Sequence, residues 1–226
     1  MEEKTKLLWK TIPQNFESRG HKWKIGKWCH VGGAIELCKN GFHASPTILD
    51  AMAYVSAGWI CRVKVRGNCY MGNDKSAWSD MIIVKRYKWT KKMSLALAIY
   101  AAELVLPIFE KEYPEDMRPR DAIAAAKAYL KRPCIKTKTA AYAAYTAADA
   151  AAAAAAYAAA RAAYAAADAA DAAAAAAYAA YTAAAAAAAA DAAAATDAAA
   201  DAPDAARAAI LKNIERKIKQ LAGMAK

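Results

Sequence analysis

Residues 140–202 read AAYAAYTAADAAAAAAAYAAARAAYAAADAADAAAAAAYAAYTAAAAAAAADAAAATDAAADA, and this stretch decides how the rest of the chain is organised. Of its 63 residues 47 are alanine, and the other 16 are Tyr, Asp, Thr and a single Arg. Alanine gives up no side-chain entropy in a helix and carries nothing that competes for the backbone, so the window predicts helix throughout. At about 100° per residue, Tyr142, Tyr145, Asp149, Tyr157, Arg161, Tyr164, Asp168, Asp171, Tyr178, Tyr181 and Thr182 fall within an arc of roughly 160°. The opposite arc is alanine alone. Kept in phase over about 40 residues, this helix is a rod of roughly 60 Å; Thr146, Asp168, Thr182, Asp191, Thr196 and Asp201 are N-caps at which it breaks into a bundle instead, and the bundle is the expectation. Alanine faces let helices approach closely, with tyrosines filling the gaps. Residues 172–190 carry no charge, but they are flanked by Asp171 and Asp191 rather than by Lys or Arg, so no membrane span is expected there.

Outward from the tract, the composition divides the 226 residues in two. All six Trp and all three His lie in the first 94 residues, which also carry 17 of the 32 basic and 7 of the 21 acidic side chains. The net charge of +11 therefore resides almost wholly in an N-terminal head. Such polarity points to an anionic partner: nucleic acid, a nucleotide or an acidic protein face. We expect an α+β head of about five strands and one helix at residues 1–92, followed by an all-α, alanine-rich helical bundle at 93–226. Cys29, Cys38, Cys61, Cys69 and Cys134 are odd in number and form no CxxC pair, and the start of the chain lacks the apolar core of a signal peptide. Both features read as a reduced, cytoplasmic protein. A zinc set of Cys29, His30, Cys38 and His43 matches no familiar spacing, and neither metal nor cofactor is expected.

Within the head, residues 7–12 read as a first strand and 13–15 as a turn. HKWKIGKW (21–28) suits a half-buried strand with Lys22 and Lys24 on its wet face, and Gly32 and Gly33 turn the chain before another strand at 34–38. KNGFHASP (39–46) places His43 and Ser45 before a helix that begins near Pro46 or Thr47 and runs to about Ser56. An anion at that helix N-terminus, or Ser45 as its simple cap, are the two readings. WICRVKVR (59–66) alternates, with Ile60, Arg62, Lys64 and Arg66 on one side and Trp59, Cys61, Val63 and Val65 on the other. Residues 67–79 read as a polar loop, and 81–89 as a last strand carrying Lys85, Arg86 and Lys88. The expected binding set is Lys22, Lys24, Arg62, Lys64, Arg66, Lys85 and Arg86, with nearby aromatics stacking on a nucleic-acid strand.

Phe16 with Arg19 and Gly20, Trp23-x-x-Gly26-Lys27, the Cys-x-x-Gly-Phe-His element at 38–43, a helix, a Val-x-Val strand and Asp74-Lys75-Ser76 together resemble an uncharacterised domain common in bacteriophage and prophage proteins, over roughly residues 5–90. No activity comes with that resemblance. Phe42, Ser45, Ala53 and Tyr54 are also similar to the strand and helix of ADP-ribosyltransferase folds. That likeness implies an NAD-using enzyme with His43, Ser45 and an acidic residue such as Asp74, standing in for the late Glu that is missing between Glu36 and Glu103.

Residues 93–112 predict an amphipathic helix on Leu95, Ile99, Ala102, Leu106 and Phe109, kinked near Pro107, and 120–131 a second one. AAELVLPIFEKEYPEDMRPRDAIAAAKAYL (101–130) with the tract behind it resembles a family of bacterial immunity proteins built as helical bundles, over about residues 95–200. A final helix at 204–222 carries Ile210, Leu211, Ile214, Ile218 and Leu221 on a stripe that needs covering by the bundle or by another copy of the chain.

No catalytic triad, phosphate loop or metal signature emerges, which favours a binding protein over an enzyme. The leading expectation is a phage-borne or prophage-borne protein that inhibits or protects against a bacterial defence system, with a defence protein or nucleoprotein as partner and no membrane. The alternatives are the ADP-ribosyltransferase-like enzyme and a structural helical spacer with a basic anchor.

Overall fold

A computed structural model of the chain describes residues 5–54, 58–149, 182 and 202–224. The chain divides into two compact units, Met1–Thr90 and Lys91–Leu221.

The first unit is an antiparallel sheet of five strands with a small two-stranded ribbon. Its spine is a long hairpin, β6 (Gly58–Met71) and β7 (Ser76–Lys88), flanked by β1 (Lys6–Pro13) on β6 and by both β4 (Trp28–His30) and β5 (Phe42–Ala44) on β7. The ribbon pairs β2 (Glu17–Ser18) with β3 (His21–Lys22). Two further backbone hydrogen bonds, Trp9 N–H to Ser45 O and Ser45 N–H to Trp9 O (2.9 and 2.8 Å), tie the free edge of β1 to the end of β5, so the sheet curls back on itself.

Alternation makes one face of the sheet apolar. Leu8, Ile12, Cys61, Val63, Val65, Met81 and Ile83 are buried there with Trp23, Ala44 and Trp78, while Phe16, Cys29, Phe42 and Trp59 pack around them. The pairing of Arg62 with Lys85 is followed by that of Val63 with Ile83, which leaves Val84 as an extra residue, a bulge in β7. Beyond it the parity changes: Lys85 and Tyr87 share a face with Ile82, and Arg86 shares one with Ile83.

Four expectations for the head are corrected. The strand at 23–28 does not form, because Gly26 takes a left-handed conformation (φ 74°) and donates its N–H to Ile83 O, splitting the segment into β3 and β4. Residues 34–38 are a tight turn closed by the Glu36–Asn40 pairing, with Cys38 at φ 65°, and no strand. The loop at 67–79 shrinks to residues 72–75, since both hairpin strands continue past the point where their alternation stops. The helix α1 is short (Ile48–Met52), and its cap is Thr47, whose hydroxyl accepts the Asp50 N–H at 3.1 Å; Ser45 instead lies in the sheet seam.

In the second unit α2 (Lys91–Glu112) packs on α3 (Arg118–Lys131) and α5 (Ala202–Leu221), and α3 packs on α4 (Ile135–Asp149). Leu95, Leu97, Ala98, Ile99, Ala101, Val105 and Phe109 are buried, whereas Leu106 is only partly so, and α2 runs on through Pro107. Pro119 sits in the first turn of α3, where its missing N–H leaves nothing unpaired. Ile214 and Ile218 of α5 are fully buried. Among the described residues one stretch, Lys91–Lys111 of α2, has the length and apolarity of a membrane span, and half of it is buried inside the fold. Thr146 lies inside α4 rather than at a helix start. The rest of the tract, and with it the choice between rod and bundle, lies outside the described residues.

Candidate functional site

The basic side chains of the head go to different places. β6 sends Arg62, Lys64 and Arg66 to the face opposite the core, and the registers of the neighbouring strands add Leu7 and Trp9 from β1, Lys85, Ile82 and Asp80 from β7, and Trp28 and His30 from β4. Strand rise separates alternate cations by about 6.8 Å. The guanidinium of Arg62 lies 4.5 Å from the Trp9 ring centre and that of Arg66 4.2 Å from Trp28, so each indole holds a cation in place by its negative π face. Lys64 and Lys85 are exposed. Asp80 opposes Arg66 in the register and accepts from Ser79 Oγ (2.6 Å), with His30 Nδ1 3.1 Å away. Burial pushes the Asp80 carboxyl up, but those hydrogen bonds and the charge of Arg66 outweigh it and hold the group below the usual carboxylate range. The Arg66 end of the face is thus balanced, and the net positive charge belongs to Arg62, Lys64 and Lys85.

Arg86 lies on the other face, 4.2 Å from the Trp59 ring centre and 5.0 Å from that of Phe16. Lys22 is on the small ribbon, 3.5 Å from Glu17, and Lys24 is exposed in the loop behind it. Four of the seven expected residues therefore share one surface.

A second cluster forms where β1 meets β5. Trp9, Lys10, Thr11, Arg19, His43 and Ser45 line a cavity of about 180 Å³, together with Tyr54 and Lys75. Beside it lies a wider one of about 330 Å³, which shares Lys10, Ser18, Arg19 and His43. Lys10 points to the core side of β1, opposite Cys61, and donates Nζ–H to His43 O at 2.9 Å. Burial, and then the charge of Arg19, lower its pKa to about 8, against an opposing effect of Cys61. Cys61 is itself pushed up to about 12 by burial and is a neutral thiol. His43 Nε2 accepts the Cys38 N–H at 2.9 Å, which fixes a neutral imidazole. Burial and the charges of Lys10, Arg19 and Lys75 lower its pKa to about 4, against a backbone hydrogen bond at Gly41. Asp74 accepts a short hydrogen bond from the Tyr54 hydroxyl, which raises the phenol to about 12. So His43 and Ser45 do meet in one cavity, Asp74 reaches it through Tyr54, and His43 works as a clamp on the 38–43 turn.

Sequence reasoning named Arg19, Tyr54 and Lys75 only within the motifs of the two resemblances, and passed over Lys10. The signal for Lys10 was present: KLLWKTIP (6–13) puts it on the same parity as Leu8 and Ile12, the apolar face of β1. As for zinc, Cys29 Sγ is 3.1 Å from His21 Nε2, His30 is engaged by Asp80 and His43 by Cys38 N–H. Among the described residues no three metal-ligating side chains group together.

Residues 6–95 match a family described as a domain of unknown function (DUF7666). No curated protein and no solved structure matches the chain. The N-terminal part is thus an uncharacterised domain that extends from β1 into the first turn of α2.

Proposed function

We propose that the chain is a phage- or prophage-borne binding protein that inhibits or protects against a bacterial defence system from within the host cytoplasm, by contacting a protein or nucleoprotein. The phage setting and the immunity-like helical part rest on the resemblances of the sequence. The observation that carries the binding mode is the outer sheet face, where Arg62, Lys64 and Lys85 stand beside Trp9 and Trp28. Cations at strand spacing engage a run of phosphates or an acidic protein face, and an indole beside them offers a stacking surface to an unpaired base. A pull-down of the tagged chain from bacterial lysate, with and without nuclease, tests this directly. A defence protein or ribonucleoprotein recovered in stoichiometric amount supports the reading; recovery of neither, at low and at moderate salt, overturns it. If phosphates are the contact, the logarithm of affinity falls linearly with that of salt concentration, and Lys64→Ala lowers the slope by about one.

A second reading, an ADP-ribosyltransferase-like enzyme using NAD, is favoured by one observation: His43 and Ser45 line the same cavity. It requires NAD consumption that is lost in His43→Ala. An NAD-turnover assay on purified protein that stays at the level of buffer removes it.

A further inference from the structure

The cavity at the seam of β1 and β5 collects positive charge without any carboxylate. Lys10, Arg19 and Lys75 all line it, no Asp or Glu among the described residues does, and none of the three forms an ion pair among them. Like charges held together at one pocket repel one another, and Lys10, turned to the core side of β1, also loses hydration that no carboxylate of the lining replaces. The depressed pKa values of Lys10 and His43 record that cost. Left-handed backbone brings side chains to the same place. Among the described residues three other than glycine take left-handed conformations, and two of them, Arg19 (φ 49°) and Cys38 (φ 65°), line the cavity. They also hold each other, since Arg19 Nη1–H donates to Cys38 O at 2.9 Å. Arg19 and Gly20 (φ 73°) form the two-residue turn between β2 and β3, for which positive φ at both places is the ordinary geometry, and this turn carries the guanidinium to the pocket wall.

We propose that this cavity is a binding site for a phosphate monoester, with Lys10, Arg19 and Lys75 as the cationic ligands and the hydroxyl of Ser45 beside them. A phosphate monoester carries close to two negative charges near neutral pH and three acceptor oxygens, which answers several cations converging on one point better than a carboxylate does. Arg19 keeps guanidinium donors beyond the one spent on Cys38 O, suited to a forked contact. The smaller cavity takes the phosphate, and the wider one beside it has room for the organic part next to His21, Phe42 and Asn40. The site shares Trp9 with the outer face but not its exposed cations, since Lys64 and Lys85 do not line it.

The test uses the full chain in titration calorimetry and thermal melts with inorganic phosphate, AMP and ribose 5-phosphate, each against sodium chloride of equal ionic strength. The expected result is saturable binding with a rise in Tm. Tighter binding of AMP or ribose 5-phosphate supports a nucleotide or sugar phosphate as the natural ligand, and equal binding of all three supports phosphate itself. Lys75→Met, at the rim, and Lys10→Met each weaken binding tenfold or more, whereas Lys64→Ala leaves it unchanged. At pH 8 the anion draws up to about half a proton onto Lys10, seen as a dependence of the measured heat on buffer that Lys10→Met abolishes. Absence of saturable binding by all three anions overturns the proposal; so does binding that Lys75→Met and Lys10→Met leave intact, or that Lys64→Ala removes.

Discussion

The β6–β7 hairpin and the segment from Phe16 to Ser45 lie in the same small domain and hold their charges in opposite ways. Along the hairpin, apart from its bulges, a residue's side is set by parity: Val63 is fully buried and its neighbour Lys64 is exposed. In the Phe16–Ser45 segment the regular elements are two or three residues long. Shape there comes from left-handed residues and from side chains that grip the backbone, such as His43 on Cys38 N–H, Arg19 on Cys38 O and Asn40 on the carbonyls of Gly32 and Ala34. A periodic strand displays a row of cations to solvent at little cost. An irregular loop surrounds a few of them and so builds a pocket.

The contrast can be broken most severely at Val63. Val63→Asp buries a carboxylate in the apolar layer and should cost more than about 4 kcal/mol, leaving the head unfolded by circular dichroism. In the loop, Gly41→Ala is the counterpart. Gly41 sits at φ 118°, and an added Cβ would lie 3.0 Å from Ile35 Cγ2 and 3.1 Å from Ala77 Cβ, so a loss of about 1–3 kcal/mol is expected in urea denaturation.

Next comes pH, which should act on the pocket and not on the hairpin. The pKa of His43 lies below that of an unfolded imidazole, so the unfolded chain takes up the proton first. Stability from this source is complete above about pH 6.5 and is lost as pH falls toward about 4. His43→Gln, which keeps an acceptor for Cys38 N–H, should flatten this acid limb in a series of Tm measurements. Lys10 acts at the other end: its pKa is lowered, so the cost of burying its charge is fully present below about pH 8 and disappears as pH rises toward 10.5. The smallest effect belongs to Lys64→Ala, which should change folding stability by no more than about 0.5 kcal/mol while weakening binding to phosphate polymers.

The same contrast decides what could be read from the sequence. WICRVKVR gave up its two faces because alternate positions differ in hydrophobicity, and Arg62, Lys64 and Arg66 fall together from the sequence alone. Past Gly67 the residues Asn68, Cys69, Tyr70 and Met71 are all exposed, so no alternation remained to mark the rest of β6. Trp23 looked like one member of a strand, yet it is buried with its indole N–H on Ser18 Oγ at 2.8 Å, a contact that only the ribbon makes available. The cavity was hidden for a different reason. Lys10 reaches His43 across 33 residues, and Arg19 and Cys38 adopt conformations their side chains do not advertise. Lysines in a strand are read as wet, and here one of them is the floor of a pocket.

Val84 carries a consequence for heredity. As the extra residue of the bulge, it has no partner of its own, and Lys85 takes the outer face and Arg86 the inner one as the next two residues of the ladder after Ile83. Loss of its single codon, with the pairing on both sides kept, would leave Ile83 opposite Val63 and Lys85 opposite Arg62 in an unbroken ladder, so both cations would stay on their faces. An in-frame deletion at this place is therefore a milder mutation than the loss of a paired residue elsewhere in β7, and lineages of this domain are expected to vary both the identity and the presence of residue 84.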